Sequence, residues 1–128
     1  MEQLTNIKGL SLPSVLQKMT KIELFNLLNN TEPHEEAIGK EIKPLMILFS
    51  NEEFLNEEKG TIEEGIKTKI VTIDTVYEGF SWTLRKQCEN LIMVFNNDLP
   101  TIKIKKELKG LKTAYKIEVI DDAREQSA

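Results

Sequence analysis

Residues 66–95 read IKTKIVTIDTVYEGFSWTLRKQCENLIMVF, and a change of period inside this stretch decides the predicted fold. In its first part, polar and apolar residues alternate as they do on the two faces of a β-strand. One face carries Ile66, Thr68, Ile70 and Thr72, and the other carries Lys67, Lys69, Val71 and Ile73. The β-branched residues favour a strand. The pattern therefore predicts a strand over Thr61–Asp74, followed by a short strand over Val76–Phe80.

The second part of the stretch has helical spacing. Ser81 is a suitable N-cap residue. After it, apolar residues recur at i, i+4, i+7, i+8 and i+11, which places them on one side of a helix: Leu84, Cys88, Leu91, Ile92 and Phe95. Asn96, Asn97 and Pro100 end the helix.

Two further strands are predicted after the helix. In Thr101–Lys105, Ile102 and Ile104 alternate with lysines, and Thr113–Ile120 alternates in the same way. The intervening residues, Lys106–Lys112, are predicted to form a loop centred on Gly110.

Upstream, Ile38–Leu55 is predicted to be one long strand because the run Leu45–Phe49 is too short for a buried helix. A hairpin turn over Asn56–Gly60 joins it to the next strand. Before it, the capping-box pattern at Thr20 and Glu23 predicts a helix over Thr20–Asn29. Residues 1–17 are interpreted as an arm.

The resulting element order is three strands, a helix and two strands, preceded by a short helix. This predicts a β-rich (α+β) protein with the layout of the OB-fold, a partly open five-stranded barrel whose helix lies between strands 3 and 4. An α+β sandwich of the same elements is the alternative. The predicted divisions are residues 1–37 (arm and short helix), 38–120 (barrel) and 121–128 (acidic tail).

Composition narrows the class of protein. A chain of 128 residues suits one domain and is long enough to bury a core. Cys88 is the only cysteine, so an intramolecular disulfide is excluded and a reducing compartment is expected. The N-terminus has no signal-peptide pattern, and no apolar run is long enough to span a bilayer. We therefore expect a soluble, cytoplasmic protein that does not bind membranes.

Charge is distributed unevenly along the chain. Residues 1–64 carry a net charge of −6, residues 65–120 carry +4, and the last eight carry −2, which gives −4 overall. A basic second half permits nucleic-acid binding. Two solvated faces of opposite charge are the simpler alternative.

Nothing in the chain predicts catalysis, a metal site or a cofactor. His34 is the only histidine and no other residues have metal-ligand spacing around it, so an exposed loop histidine is expected. Adjacent glutamates on strands point to opposite faces, so the pairs at 52–53, 57–58 and 63–64 are interpreted as solvated charges. Cys88 lies on the apolar side of the helix and is expected to pack in the core.

Binding of a single nucleic-acid strand needs cations along the phosphates and aromatic faces for the bases. Lysines project from two predicted strands and crowd the loop between the last two, and aromatic residues gather near the third strand. The predicted nucleic-acid site consists of Phe54, Lys67, Lys69, Tyr77, Phe80, Trp82, Lys103, Lys105, Lys106, Lys109 and Lys112. The alternatives are that Lys-x-Lys marks only a polar strand face or a protected edge, and that Phe80 and Trp82 are core residues.

Residues 38–120 resemble the small single-stranded DNA-binding proteins encoded by phages and conjugative plasmids of Gram-positive bacteria. The resemblance is carried by the charged hairpin Asn56–Gly60, the strand end Ile70–Asp74 with Tyr77 after it, and the amphipathic helix from Ser81 to Phe95. It is also carried by the lysine-alternating strand after Pro100 and by the final Tyr115–Val119. The tail at 121–128 departs from bacterial house-keeping relatives because it lacks apolar terminal residues.

This resemblance implies an OB barrel that coats single strands without catalysis during replication or conjugative transfer. The implied partner is single-stranded DNA, with RNA left open, and the N-terminal segment is available for packing or self-association. The alternative from another class is a protein–protein interaction module, such as a phage or plasmid factor that recruits or inhibits a host protein and does not bind nucleic acid. A structural element of a conjugation or replication machine is a third hypothesis.

Overall fold

The computed structural model describes residues 14–96, 98–110 and 112–120, which form two open β-sheets with helices packed on them. The helices are α1 (Ser14–Gln17), α2 (Lys21–Asn29), a 3₁₀ helix (His34–Ala37) and α3 (Trp82–Phe95). The strands are β1 (Thr31–Pro33), β2 (Glu41–Ile42), β3 (Met46–Asn56), β4 (Thr61–Val71), β5 (Val76–Gly79), β6 (Ile102–Lys109) and β7 (Lys112–Val119). One sheet has the order β1-β5-β4-β3 and the other β2-β6-β7.

The first sheet is built on the long β3–β4 hairpin. Its register runs from Met46 opposite Val71 to Asn56 opposite Thr61. The predicted turn at its tip is confirmed, and Gly60 supplies the positive φ of 65° that this turn requires. On one side β5 pairs with β4 over Thr68–Val71 alone, and on its other side it pairs in parallel with β1. The outer half of the hairpin is therefore a two-stranded ribbon.

The second sheet is built on the β6–β7 hairpin, which pairs from Ile102 opposite Val119 to Lys109 opposite Lys112. The predicted loop Lys106–Lys112 is wrong, since strand pairing continues to the tip and Gly110, with φ of 67°, lies in the turn. Charged residues resembled a loop in the sequence, but they suit the exposed strands of a hairpin equally well.

The predicted strand over Ile38–Leu55 is wrong in its first half. Residue Ile38 forms a single bridge with Ile104, and β2 pairs with β6 over two residues. Pro44 then interrupts the ladder because proline has no N–H to donate. The chain enters the other sheet at Met46, so residues 41–56 join the two sheets.

A shared core lies between the inner faces of the two sheets and α3. It contains Ile47, Ile70, Tyr77, Leu84, Cys88, Leu91, Ile102 and Ile104. The predicted apolar side of α3 is confirmed for Leu84, Cys88 and Leu91, which are buried. Ile92 and Phe95 are half-buried at its margin. The N-cap role of Ser81 is confirmed, since its hydroxyl accepts a hydrogen bond from the Leu84 N–H at 3.2 Å.

The N-terminal helices pack against the outer face of the first sheet. The predicted capping box of α2 is present, with Thr20 and Glu23 bonded reciprocally at 3.1 and 2.9 Å. Leu16 and Leu27 bury against Met46, Leu48, Val71 and Val76 in a second core. Residues 14–33 are therefore part of the folded unit, and β1 belongs to the first sheet. The rest of the predicted arm and the 121–128 tail lie outside the described residues.

The edge of β7 is covered by α3 rather than by a strand. The Tyr115 N–H donates to the Thr83 hydroxyl at 3.1 Å. The Gln87 amide both donates to the Tyr115 carbonyl and accepts from the Ile117 N–H, as a neighbouring strand does. The β-rich prediction is thus confirmed, with two open sheets. None of the helices in the described ranges has the length and apolar composition needed to cross a lipid bilayer.

Candidate nucleic-acid interface

Two predicted aromatic residues meet on the outer face of the first sheet. The rings of Phe54 and Phe80 have centroids 4.7 Å apart at an interplanar angle of 37°. Gly65 makes the room for them, because a Cβ atom added there would lie only 2.9 Å from Phe54 and 3.1 Å from Phe80. This glycine was not among the predicted site residues. A glycine within a strand, which signals a close approach, is the sequence feature that points to it.

Lys67 and Lys69 lie beside this pair but are engaged by carboxylates. The Lys67 Nζ is 3.0 Å from Glu52 and 3.2 Å from Glu78, and the Lys69 Nζ is 3.4 Å from Glu52. Burial lowers the pKa of Lys67, but its hydrogen bonds to both glutamates outweigh this and the net shift is upward. The Lys67 Nζ also lies 5.3 Å from the centre of the Phe80 ring. These two lysines neutralise protein carboxylates in this conformation, so they do not provide a phosphate track.

Tyr77 is not on this surface, and its predicted stacking role is wrong for this conformation. Alternation along β5 places it opposite Ile70 on the inner face, where it is 7% exposed and part of the core. The neighbouring Glu78 takes the outer position instead. A base cannot reach the tyrosine ring without opening the core.

Trp82 is the most exposed of the predicted aromatic residues. It begins α3, is 62% exposed, and has the Lys86 Nζ 5.9 Å from its ring. The next residue, Thr83, bonds to β7 at Tyr115, which fixes the start of the helix against the second sheet. Trp82 therefore lies on the chain between Phe80 of the aromatic pair and the point where α3 meets β7.

The predicted lysines of β6 lie on opposite faces. Lys103 and Lys105 share the outer face, where the Lys105 Nζ is 2.8 Å from Glu118. Lys106 points the other way and reaches Glu35 at 3.2 Å. The side chains of Lys109 and Lys112 lie outside the described part of the chain. Lys116, which was not predicted, is exposed directly opposite Lys105 on β7.

The prediction of an exposed loop histidine is wrong. His34 is 3% exposed, and its Nε2 lies 3.0 Å from the Thr68 carbonyl oxygen. Its ring packs on Gly79, where an added Cβ would come within 2.7 Å of Nδ1. Burial lowers the pKa of His34, so we assign the neutral ring. The imidazole fills the space between β5 and the second sheet, which the sequence did not reveal because β1 was not predicted.

Glu35 ties the 3₁₀ helix to the second sheet. Its carboxylate accepts hydrogen bonds from the Tyr115 hydroxyl and from Lys106. These bonds lower the pKa of Glu35. Burial and the bond to Glu35 raise the pKa of Tyr115 to about 12. Lys106 therefore contacts a carboxylate of the 3₁₀ helix and helps to hold that helix against the second sheet.

The thiol of Cys88 is surrounded by core residues. Cys88 is fully buried in the core, and burial raises the pKa of its thiol to about 12, so the thiolate nucleophile does not form at neutral pH. Within residues 14–96, 98–110 and 112–120, no three His, Cys, Asp or Glu side chains are grouped as metal ligands.

Comparison of the chain with protein-family models, with curated proteins and with solved structures finds no match. The candidate interface therefore depends on its own geometry. Phe54 and Phe80 are in contact on the first sheet, and Trp82 with Lys86 lies separately at the start of α3. Lys103, Lys105 and Lys116 lie on the outer face of the second sheet.

Proposed function

We propose that the protein binds single-stranded DNA without catalysis and largely without sequence preference, and that its two sheets form a partly open barrel of the OB type. The order β3-β4-β5-α3-β6-β7, with β2 leading into β3 from the second sheet, supports the OB interpretation. The common core between the inner faces supports it as well.

The observation that carries the proposal is the solvent-exposed Trp82, two residues after Phe80 of the Phe54–Phe80 pair. The Trp82 ring is 62% exposed and has a cation beside it, so its face is accessible to a stacking base. Base–aromatic stacking contributes about 1–3 kcal/mol per base and tolerates any base. Stacking on Trp82 and on the edges of the Phe54–Phe80 pair therefore accounts for binding without sequence preference.

Phosphate contacts in this proposal come from the lysines of the second sheet. Lys105 and Lys116 are exposed and face each other across β6 and β7, and Lys103 precedes them on the same face. Glu118, the carboxylate that contacts Lys105, is itself exposed, and exposed ion pairs contribute only about 0–1 kcal/mol, so a phosphate displaces it at little cost.

The test is titration of a labelled oligo-dT with the parent protein and with Trp82→Ala, followed by fluorescence anisotropy at low salt. Loss of one stacked base at about 1–3 kcal/mol predicts a weakening of roughly 5- to 150-fold. Met93→Ala is the matched control, because Met93 is 71% exposed near the other end of α3. Binding by Trp82→Ala that equals that of the parent, with both proteins folded, contradicts the stacking proposal.

A second candidate function is favoured by a different surface. Ile22 and Phe25 lie one turn apart on α2 and are 74% and 60% exposed, which is typical of a helix that docks into a partner's apolar groove. A protein–protein interaction module is therefore the alternative. A parent protein that fails to bind oligo-dT at low salt favours this alternative over DNA binding.

A further inference from the structure

The outer half of the β3–β4 hairpin, residues 51–64, forms a strongly acidic arm. Beyond Thr68, β4 pairs only with β3, so this part is a two-stranded ribbon about 20 Å long at the usual strand rise. It contains six glutamates and one lysine, for a net charge of −5. Glu53, Glu57, Glu58 and Glu64 are exposed. Leu55 and Ile62 face each other across its tip and are 56% and 64% exposed.

The β6–β7 hairpin, residues 102–119, forms a second arm of opposite charge. Past Ile104 it has no further strand partner among the described residues. It contains six lysines and two glutamates, for a net charge of +4. Near its tip Leu108 is 78% exposed. The two arms therefore have complementary charge, and each exposes an apolar side chain near its end.

We infer that the acidic arm of one copy docks on the basic arm of a second copy. Complementary potentials steer two surfaces together, and a small apolar contact between Leu55 or Ile62 and Leu108 adds area that excludes water. Each copy carries both arms, so the contact either occurs twice about a twofold axis and closes a dimer, or repeats head to tail and forms a ring or an open chain of subunits.

The ion pairs seen in each arm leave this contact open. Glu52 binds Lys67 and Lys69 at the base of the acidic arm, where the hairpin enters the sheet. In the basic arm, Lys105 binds Glu118 of the same hairpin and Lys106 binds Glu35 of the 3₁₀ helix. The exposed glutamates towards the acidic tip are therefore oriented to solvent, where a second copy can reach them.

The inference does not depend on DNA binding, and the test contains no nucleic acid. Sedimentation velocity of the full chain at low salt is expected to show species larger than the monomer, with at least a tenfold rise in the dissociation constant at high salt. Reversal of the acidic arm by Glu58→Lys with Glu64→Lys is expected to abolish association. Reversal of the basic arm by Lys105→Glu with Lys116→Glu is expected to do the same. An equimolar mixture of the two reversed proteins is expected to associate again.

The matched control is Lys18→Glu with Lys21→Glu, which changes net charge as the basic-arm reversal does but at exposed positions near α2. This control is expected to associate like the parent. The inference is overturned if the parent sediments as a monomer at low salt up to about 100 µM. It is also overturned if the control loses association or if the mixture of reversed arms stays monomeric. Should a reversed variant fail to fold, the salt dependence of the parent alone decides.

Discussion

The Lys-x-Lys patterns of β4 and β6 are the same in sequence and different in the folded protein. Lys67 and Lys69 lie in a sheet whose neighbouring strands present Glu52 and Glu78, and their ammonium groups contact those carboxylates. Lys103 and Lys105 lie in a hairpin whose partner strand presents Glu118 and the further cation Lys116. Lys105 also contacts a carboxylate, Glu118, but that pair is about half exposed (46% and 47%), whereas the side chains of the cluster in the first sheet are only 16–25% exposed. The exposure of the ion pair therefore decides whether a strand lysine is held by its own protein or remains accessible to an external anion.

The largest expected effect concerns the core that lies beneath both lysine-bearing faces. Leu84 is fully buried between them, so Leu84→Ala should cost about 2–5 kcal/mol of unfolding free energy. Both sheets should then unfold together, and denaturation followed by Trp82 fluorescence and by circular dichroism should give coincident transitions. Met93→Ala, at an exposed position of the same helix, should change stability by less than about 0.5 kcal/mol. Two separate transitions would mean that the sheets do not share one core.

The next effect compares the two lysine pairs in DNA binding. Lys105→Gln with Lys116→Gln should weaken oligo-dT binding about tenfold at low salt, which is about 1.4 kcal/mol. It should also reduce the log–log salt slope by about 1.4, since each phosphate contact on a single strand contributes about 0.7. Lys67→Gln with Lys69→Gln should leave both quantities nearly unchanged. The opposite behaviour of the two double variants would contradict the assignment of the phosphate contacts to the second sheet.

For the free energy of unfolding, we expect the lysine of the first sheet to matter more than the lysine of the second. Lys67→Gln leaves Glu52 and Glu78 without their shared cation, and we expect a loss of about 1 kcal/mol, since the cluster is only partly shielded from solvent. Lys116→Gln, at an exposed position, should have an effect close to zero. Urea denaturation of the two variants measures the difference. Equal stabilities would show that the carboxylate contacts of the first sheet contribute nothing.

The smallest effect is a pH dependence at the junction of the two sheets. Burial lowers the pKa of His34 below the usual 6.5, so the unfolded chain binds a proton that the folded protein excludes. Stability should therefore decline as pH falls below about 6.5. His34→Gln should remove the decline between pH 7 and 5.5, measured as the shift of the urea midpoint. A parent midpoint that is constant over this range contradicts a buried neutral histidine.

The sequence predicted those parts of the fold that depend on residues within a single helix, strand or turn. The capping box at Thr20, the glycine turn at Gly60 and the apolar side of α3 each depend on residues within one element. What the sequence did not predict depends on pairing between distant segments. The short strands at 31–33 and 41–42 form because these residues pair with the edges of β5 and β6. Segments of two or three residues are too short to show an alternating apolar pattern in the sequence.

For the candidate site too, the sequence indicated which residue types to consider but not how they pair across strands. Phe54, Phe80 and Trp82 were selected by residue type and position, and the structure shows Phe54 and Phe80 in contact and Trp82 exposed. Tyr77 was misplaced because the face of a short strand is set by its register with β4, not by its own four residues. The neutralisation of Lys67 by Glu78 depends on the same register. Gly65 and Lys116 were missed because their roles appear only when the opposite strand is known.

One measurement tests the proposed single-strand binding most directly. Trp82 is the only tryptophan, so the emission of the unlabelled parent reports on the start of α3 alone. Titration with oligo-dT at a series of salt concentrations should quench this emission, and the affinity should fall steeply as salt rises. Unchanged emission together with no binding at the lowest salt would contradict the account and leave the interaction-module alternative.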